Sequence, residues 1–318
     1  MAPAQAGILA EASSEDAAIA RIVARLSSEY VLRLLQLTIE AFGDVRAGLV
    51  GQAVETANLA HFDSRNDWGR DHVGSDLTFP NEARRPVSVA RLAESLGLPL
   101  ETTRRIVQRL VDQGICLRVE GGVILPRAAV QRADIGAAVA ANIGYARKFI
   151  RDLQAAGFTE AACFDGTELA AQDSFAARVA ARLSAQYLLR VCQLIAAVHG
   201  DIRLGIVAQT IIAANTAHLD MRGGEGWRYA NLEDVPPDEV RRPIRIARLA
   251  ESLGLPFETV RRYVRRLTAD GSCVRVKGGL IVPRQVQERP AAVRGSVANV
   301  SYVRKFVRDL YAVTTGLC

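Results

Sequence analysis

A chain of 318 residues with 49% hydrophobic and 23% charged side chains is long enough for two domains and too apolar for intrinsic disorder. Its net charge of +6 favours an anionic partner, nucleic acid above all. No apolar run approaches the length of a bilayer crossing and residues 1–15 lack the basic start and apolar centre of a secretory signal, so no membrane role and a cytoplasmic, nucleoid-associated location are expected.

Ser13 and Ser14 offer an N-cap to a long amphipathic helix in which Ile19, Ile22, Val23, Leu26, Tyr30, Leu34 and Leu37 recur at three and four. Gly43 interrupts it. A second helix over residues 44–61 places Val50, Val54, Ala57, Asn58 and His61 on one side, with Gly48 and Gly51 allowing close approach. Residues 62–83 have no periodicity and read as a long loop. Residues 89–96 return to helical spacing, and Gly97-Leu98-Pro99 stops that helix and starts another over residues 101–113. In this helix Thr103, Val107 and Leu110 form the apolar stripe, while Thr102, Arg104, Arg105, Gln108 and Arg109 cover the remaining faces. Gly114 ends it. Residues 115–119 and 123–125, carrying Arg118, alternate around Glu120-Gly121-Gly122 as a hairpin. A last helix over residues 134–155 aligns Ile135, Val139, Asn142, Tyr145, Ala146, Phe149 and Leu153.

The run RLAESLGLP leading into ETTRRIVQRLVDQG and then CLRVEGGVILP resembles the winged helix-turn-helix domains of bacterial regulators such as the IclR and MarR families. The resemblance implies double-stranded DNA binding by the helix that starts near Glu101, with help from the hairpin as a wing. It does not imply an effector.

An offset of 157 positions relates Pro86 to Pro243, Tyr30 to Tyr187, Asn58 to Asn215, Cys116 to Cys273, Asn142 to Asn299 and Tyr145 to Tyr302. Residues 90–99 recur unchanged as residues 247–256, so a second helix-turn-helix is expected, with residues 258–270 as recognition helix and residues 274–282 as wing. Its basic face would carry Thr259, Arg261, Arg262, Arg265 and Arg266, with Arg275 and Lys277 on the wing. The predicted fold is mainly α with small β wings: two tandem winged helix-turn-helix domains, each flanked by long packing helices. The repeats span residues 13–155 and 172–315, joined by a linker over residues 156–171. This plan also resembles the MarR-like layout, in which flanking helices form a dimer interface, and so implies a pseudo-dimer within one chain. The recognition helices match in frame but differ at Leu100, Ile106 and Gln108, which become Phe257, Tyr263 and Arg265, while Arg109 is kept as Arg266. Reading these as outward positions predicts unlike half-sites, about 10 base pairs apart or a multiple of that.

A sequence-specific transcription regulator is the reading these features favour. A replication-initiator-like DNA binder and a winged-helix protein-docking scaffold are the alternatives, and the clustering of arginine on the predicted recognition helices weighs against docking. Enzyme motifs are missing: there is no phosphate loop, no HExxH and no nucleophile elbow. No cofactor is expected, and His61, His72, His199 and His218 show no metal-ligand spacing. Cys116, Cys163, Cys192, Cys273 and Cys318 form no CxxC pair, and read as structural thiols of a reducing compartment. Asn58, His61 and Asn142, with Asn215, His218 and Asn299, sit on apolar faces, either as a buried polar network bonded among themselves or as the lining of a ligand pocket. Trp68 and Trp227 in the loops are candidate lids. An unidentified small-molecule effector and pairing of two chains remain open.

Overall fold

The computed structural model describes residues 14–63, 68–164, 169, 174–219 and 226–316. It is mainly helical, with two small antiparallel hairpins. Helix α1 (Ser14–Phe42) ends where Gly43 takes the left-handed region, and Asp44 caps α2 (Val45–Leu59) by accepting from the amides of Arg46 and Ala47 at 2.9 and 3.0 Å. Gly48 is required by this sharp corner, since a Cβ there would lie 2.1 Å from Thr38 Cγ2. Then come α3 (Val89–Leu96), α4 (Leu100–Asp112), β1 (Leu117–Val119), β2 (Gly122–Ile124), the short α5 (Arg127–Val130) and the long α6 (Ala133–Ala155). The same order follows as α7 (Phe175–His199), α8 (Ile202–Thr216), α9 (Ile246–Leu253), α10 (Phe257–Ala269), β3 (Val274–Val276), β4 (Gly279–Ile281), α11 (Arg284–Gln287) and α12 (Pro290–Gly316).

The chain divides into two compact units, neither of them contiguous in sequence. The first holds residues 33–150, 163–190 and 306–318; the second holds residues 1–32, 151–162 and 191–305. In the first, Val50 and Val54 of α2 meet Leu92, Val107, Leu110, Cys116, Val123 and Leu125 in one buried cluster. Phe149, Tyr187 and Phe306 add an aromatic group, with ring centroids 5.4–6.3 Å apart. In the second, α1 supplies the fully buried Ala20, Ile22 and Val23. There Arg21 is also buried and donates from Nε to Leu232 O and from Nη2 to Gln287 O, each at 3.0 Å. Burial pushes the Arg21 guanidinium down to about 10 against the pull of Glu288.

Several expectations shift in detail. The helix expected over residues 44–61 stops at Leu59, and a 3₁₀ turn (Ala60–Phe62) carries His61. Pro126 and Pro283 each start a four-residue helix that has too few residues to show a period. Part of the expected linker is ordered: Gly157 is left-handed and Thr159–Phe164 is a 3₁₀ helix, whereas Gly166 lies outside the described residues, as do Ser13 and Cys318. Trp68 is buried, while Trp227 is 45% exposed.

The expected loop over residues 62–83 includes the described turns Arg70–His72 and Asn81–Ala83 and a clamp around Asp76. Asp76 accepts from Arg127 Nη2 at 2.7 Å, Arg127 Nε at 3.2 Å, Thr78 Oγ1 and Gln131 Nε2. The hydrogen bond from Arg127 holds this carboxyl below the usual carboxylate range, with Thr78 and Gln131 adding to the effect against partial desolvation. A depressed folded-state pKa contributes stability above the unfolded value of about 4 that is lost as pH falls through the folded one. Because the group is partly solvated, Asp76→Asn is expected to cost only about 1 kcal/mol at pH 7. In chemical denaturation the gap between Asp76→Asn and the parent protein should stay constant from pH 7 to 5 and close below about pH 4. A gap that widened in acid would contradict the clamp.

Candidate nucleic-acid interface

Ser88 caps α3, accepting from the Arg91 amide at 3.3 Å, and Gly97 in the left-handed region (φ 61°) closes it, with Leu98 N bonded back to Ala93 O. Pro99 then starts α4, whose Thr103 hydroxyl donates to Pro99 O at 3.2 Å. Thr103, Ile106, Val107 and Leu110 are buried against α2 and α3, which fixes the opposite face of α4 outward. Gly114 (φ 69°) ends the helix, and the chain turns into a hairpin with Leu117 opposite Ile124, Arg118 opposite Val123 and Val119 opposite Gly122. Val87 forms an isolated antiparallel bridge to Val123. A Cβ on Gly122 would lie 2.3 Å from Val87 O, so this close approach requires glycine.

The outward face of α4 is basic but internally paired. Arg104 Nη1 lies 2.9 Å and Arg105 Nε 3.3 Å from Glu101, on pairs more than half exposed. Gln108 donates to Asp112 at 2.8 Å and accepts from Arg118 Nη2 of the hairpin at 3.1 Å, so hairpin and helix meet on this face. Arg109 pairs with Asp44, the residue that caps α2. Such exposed pairs are worth little on their own and can exchange for a stronger anion.

Residues 81–118 match the model of the IclR helix-turn-helix domain. These residues are an IclR-type helix-turn-helix DNA-binding domain. Neither a curated protein nor a solved structure matches the chain. Within the matched segment α4 is the second helix of the helix-turn-helix, and the segment ends at Arg118 in β1.

The second unit repeats this local geometry. Gly254 (φ 60°) closes α9, Val260, Tyr263, Val264 and Leu267 bury one face of α10, and Gly279 presses on Ile244 O as Gly122 does on Val87 O. Arg262, Arg265, Arg266, Arg275 and Lys277 are exposed, and Thr102, Thr259 and Arg261 are half-buried. Arg261 pairs with Glu258 at 2.6 Å. One expected outward difference is corrected: Ile106 and its counterpart Tyr263 are 9% and 6% exposed, because their position in the turn faces the core, so they cannot read bases.

Asn58 and Asn215 bond to backbone groups beside their helices. Asn58 Nδ2 donates to Arg85 O at 2.8 Å and Val123 O at 3.2 Å, and Oδ1 accepts from Leu125 N at 2.9 Å; Asn215 repeats this with Arg242 O, Leu280 O and Val282 N. Each ties its helix to the strands beside it. Asn142 donates to Ser184 Oγ at 3.1 Å, and Asn299 accepts from Ser27 Oγ at 3.4 Å. His61 and His218 lie half-buried after α2 and α8. Cys116 and Cys273 are buried just before β1 and β3, and burial pushes their thiols up to about 12 and about 11, the inert behaviour of core cysteines. The described residues contain no cluster of ligands able to hold a metal, and no single described helix is long and apolar enough to cross a membrane.

Proposed function

We propose that this protein is a transcription regulator that binds double-stranded DNA sequence-specifically through two winged helix-turn-helix modules, one in each sequence repeat, acting as a pseudo-dimer. The observation that carries this reading is α4 of the IclR-type domain, which sets Arg104, Arg105, Gln108 and Arg109 on the surface beside Arg118. Arg261, Arg262, Arg265, Arg266, Arg275 and Lys277 form the equivalent face around α10. The arginines neutralise phosphates, with the half-buried Thr102 and Thr259 near each helix start as further contacts. Gln108 is suited to adenine and Arg265 to guanine, so the bound site is asymmetric. The repeats over residues 13–155 and 172–315 are the units of duplication. The protein acts where the chromosome is.

Mobility-shift titration against genomic fragments at several salt concentrations tests the proposal. The expected result is discrete, sequence-dependent complexes whose log affinity falls with log salt by about 0.9 per phosphate contacted. Replacing Arg261 and Arg262 together by alanine should flatten that slope by about 2 and weaken all sequences alike. Gln108→Arg should shift preference at one base of one half-site by roughly 1–3 kcal/mol. Unchanged binding in the double variant would remove α10 from the interface, and a palindromic selected site would overturn the asymmetric reading.

A further inference from the structure

A cavity of about 170 Å³ lies inside the first unit. Its walls are apolar, with Leu34, Leu37, Phe79, Val139, Phe175 and Leu188 among them. One edge is cationic: Arg84, Arg178 and Arg182 all line it. The side chains of Arg84 and Arg182 are only 1% and 5% exposed. Arg84 pairs with Glu55, and Arg182 Nε lies 3.1 Å from Asp63 Oδ1, while Asp63 Oδ2 accepts from Gln186 Nε2 at 2.8 Å. Among the three guanidinium groups, Arg84 and Arg182 are each paired with one carboxylate, and Arg178 supplies a further positive charge at the edge of an apolar cavity.

The donors at this edge are not consumed by the fold. Arg84 Nε, Arg178 Nη1, Arg182 Nη2 and Thr56 Oγ1 are buried and have no hydrogen-bond partner among the described residues. The acceptor Gln52 Oε1 is in the same position. A buried donor without a partner costs about 1–3 kcal/mol, and more when it is charged, so four around one cavity mark a place where an acceptor belongs. The sequence repeat supplies an internal comparison. Arg21 and Arg25 stand 157 positions before Arg178 and Arg182, and in the second unit they are tied to backbone carbonyls: Arg21 to Leu232 and Gln287, Arg25 to Gly226 at 2.7 Å. Glu55 and Thr56 are replaced there by Ile212 and Ala213. Arg25 Nη1 and two nitrogens of Arg241, the equivalent of Arg84, are also without hydrogen-bond partners there, but the second unit has backbone carbonyls on both arginines of the pair, which Arg178 and Arg182 lack among the described residues, and no counterpart of Glu55 or Thr56.

We propose that this cavity binds a small organic monocarboxylate with an apolar body. The carboxylate is held by Arg178, Arg182 and the Thr56 hydroxyl, with Arg84 behind them, and the body sits against the leucines and phenylalanines. The volume suits a single ring or a short chain, since an apolar cavity of about 150 Å³ admits benzene. Charge-assisted hydrogen bonds from guanidinium to carboxylate are the strong class, and a low-dielectric wall strengthens them further. The site stands on the first unit's own geometry and does not depend on the DNA-binding reading.

Calorimetry and thermal melting of the intact protein, without DNA, test this with benzoate and hexanoate against their neutral amides and against inorganic phosphate. The acids are expected to bind one per chain and raise the melting temperature, with the amides and phosphate at least tenfold weaker. Arg178→Met, at a half-exposed position, should weaken the acids at least tenfold and leave the amides unchanged. Val139→Phe fills the cavity and should abolish binding without lowering the melting temperature, which separates loss of the site from loss of the fold. Equal binding of acids and amides would overturn the cationic recognition, phosphate binding as tightly as the acids would overturn the apolar body, and no binding by either acid would overturn the site.

Discussion

Replacing Asn58 by alanine is expected to lower the stability of the first unit by about 3 kcal/mol. The side chain is fully buried and makes all its hydrogen bonds to backbone groups flanking the helix-turn-helix. Its removal strands Arg85 O and Leu125 N, while Val123 O keeps the Val87 amide as a donor. Two buried backbone groups without partners, at about 1–3 kcal/mol each, set the magnitude. Asn58→Asp should be worse, because a carboxylate would face two carbonyl oxygens. Asn142→Ala provides the contrast, since its bond to the Ser184 hydroxyl joins two side chains and anchors no strand; a smaller loss of about 1 kcal/mol is expected. Urea unfolding of the three variants checks this ranking. A loss below 1 kcal/mol for Asn58→Ala would show that the strands do not depend on this anchor.

Separating the two sequence repeats should have the largest effect of all. Residues 1–165 made alone lose residues 163–190 almost entirely, and with them the Arg182–Asp63 pair and the Phe149–Tyr187 contact. Residues 166–318 made alone lose α1, so the second unit gives up Ala20, Ile22 and Val23 from its core and the donors that Arg21 and Arg25 bring to Leu232, Gln287 and Gly226. Each half then exposes apolar helix faces and should self-associate without a cooperative melt. Made together, the halves should recover a soluble one-to-one complex. Sedimentation and thermal melting are the measurements, and two monomeric halves as stable as the intact chain would show that the exchanged helices are dispensable.

Much of this was legible in the residues. Gly97-Leu98-Pro99 marks the turn between α3 and α4 because a left-handed glycine and a helix-starting proline admit few other geometries, and Glu120-Gly121 marks the hairpin for the same reason. Helical period also marked Arg104, Arg105 and Arg109 as lying off the apolar stripe, and all three are exposed. It misjudged Ile106 and Tyr263 because the buried stripe of α4 and α10 is wider than a two-position seam. The asparagines were recognisable as buried but not their partners, since a backbone carbonyl has no signature in the sequence. The cavity was hidden for a related reason. Arg178 and Arg182 lie far from Glu55 and Arg84 along the chain, and only the exchange of α7 residues into the first unit brings them together.

The discontinuous units have a consequence for biogenesis. Synthesis runs from the amino terminus, so residues 14–32 emerge long before the partners they require. Arg21 waits for Gln287, 266 positions later, and Asp16 for Arg304, 288 positions later. Closing such long loops carries a larger entropic cost than local pairing and puts topology in control of the rate. The IclR-type helix-turn-helix, whose contacts span tens of positions, can form on the ribosome, whereas the amphipathic α1 must remain exposed until translation has nearly passed α12. Chaperone protection is therefore most needed early, for the segment with the most distant partners.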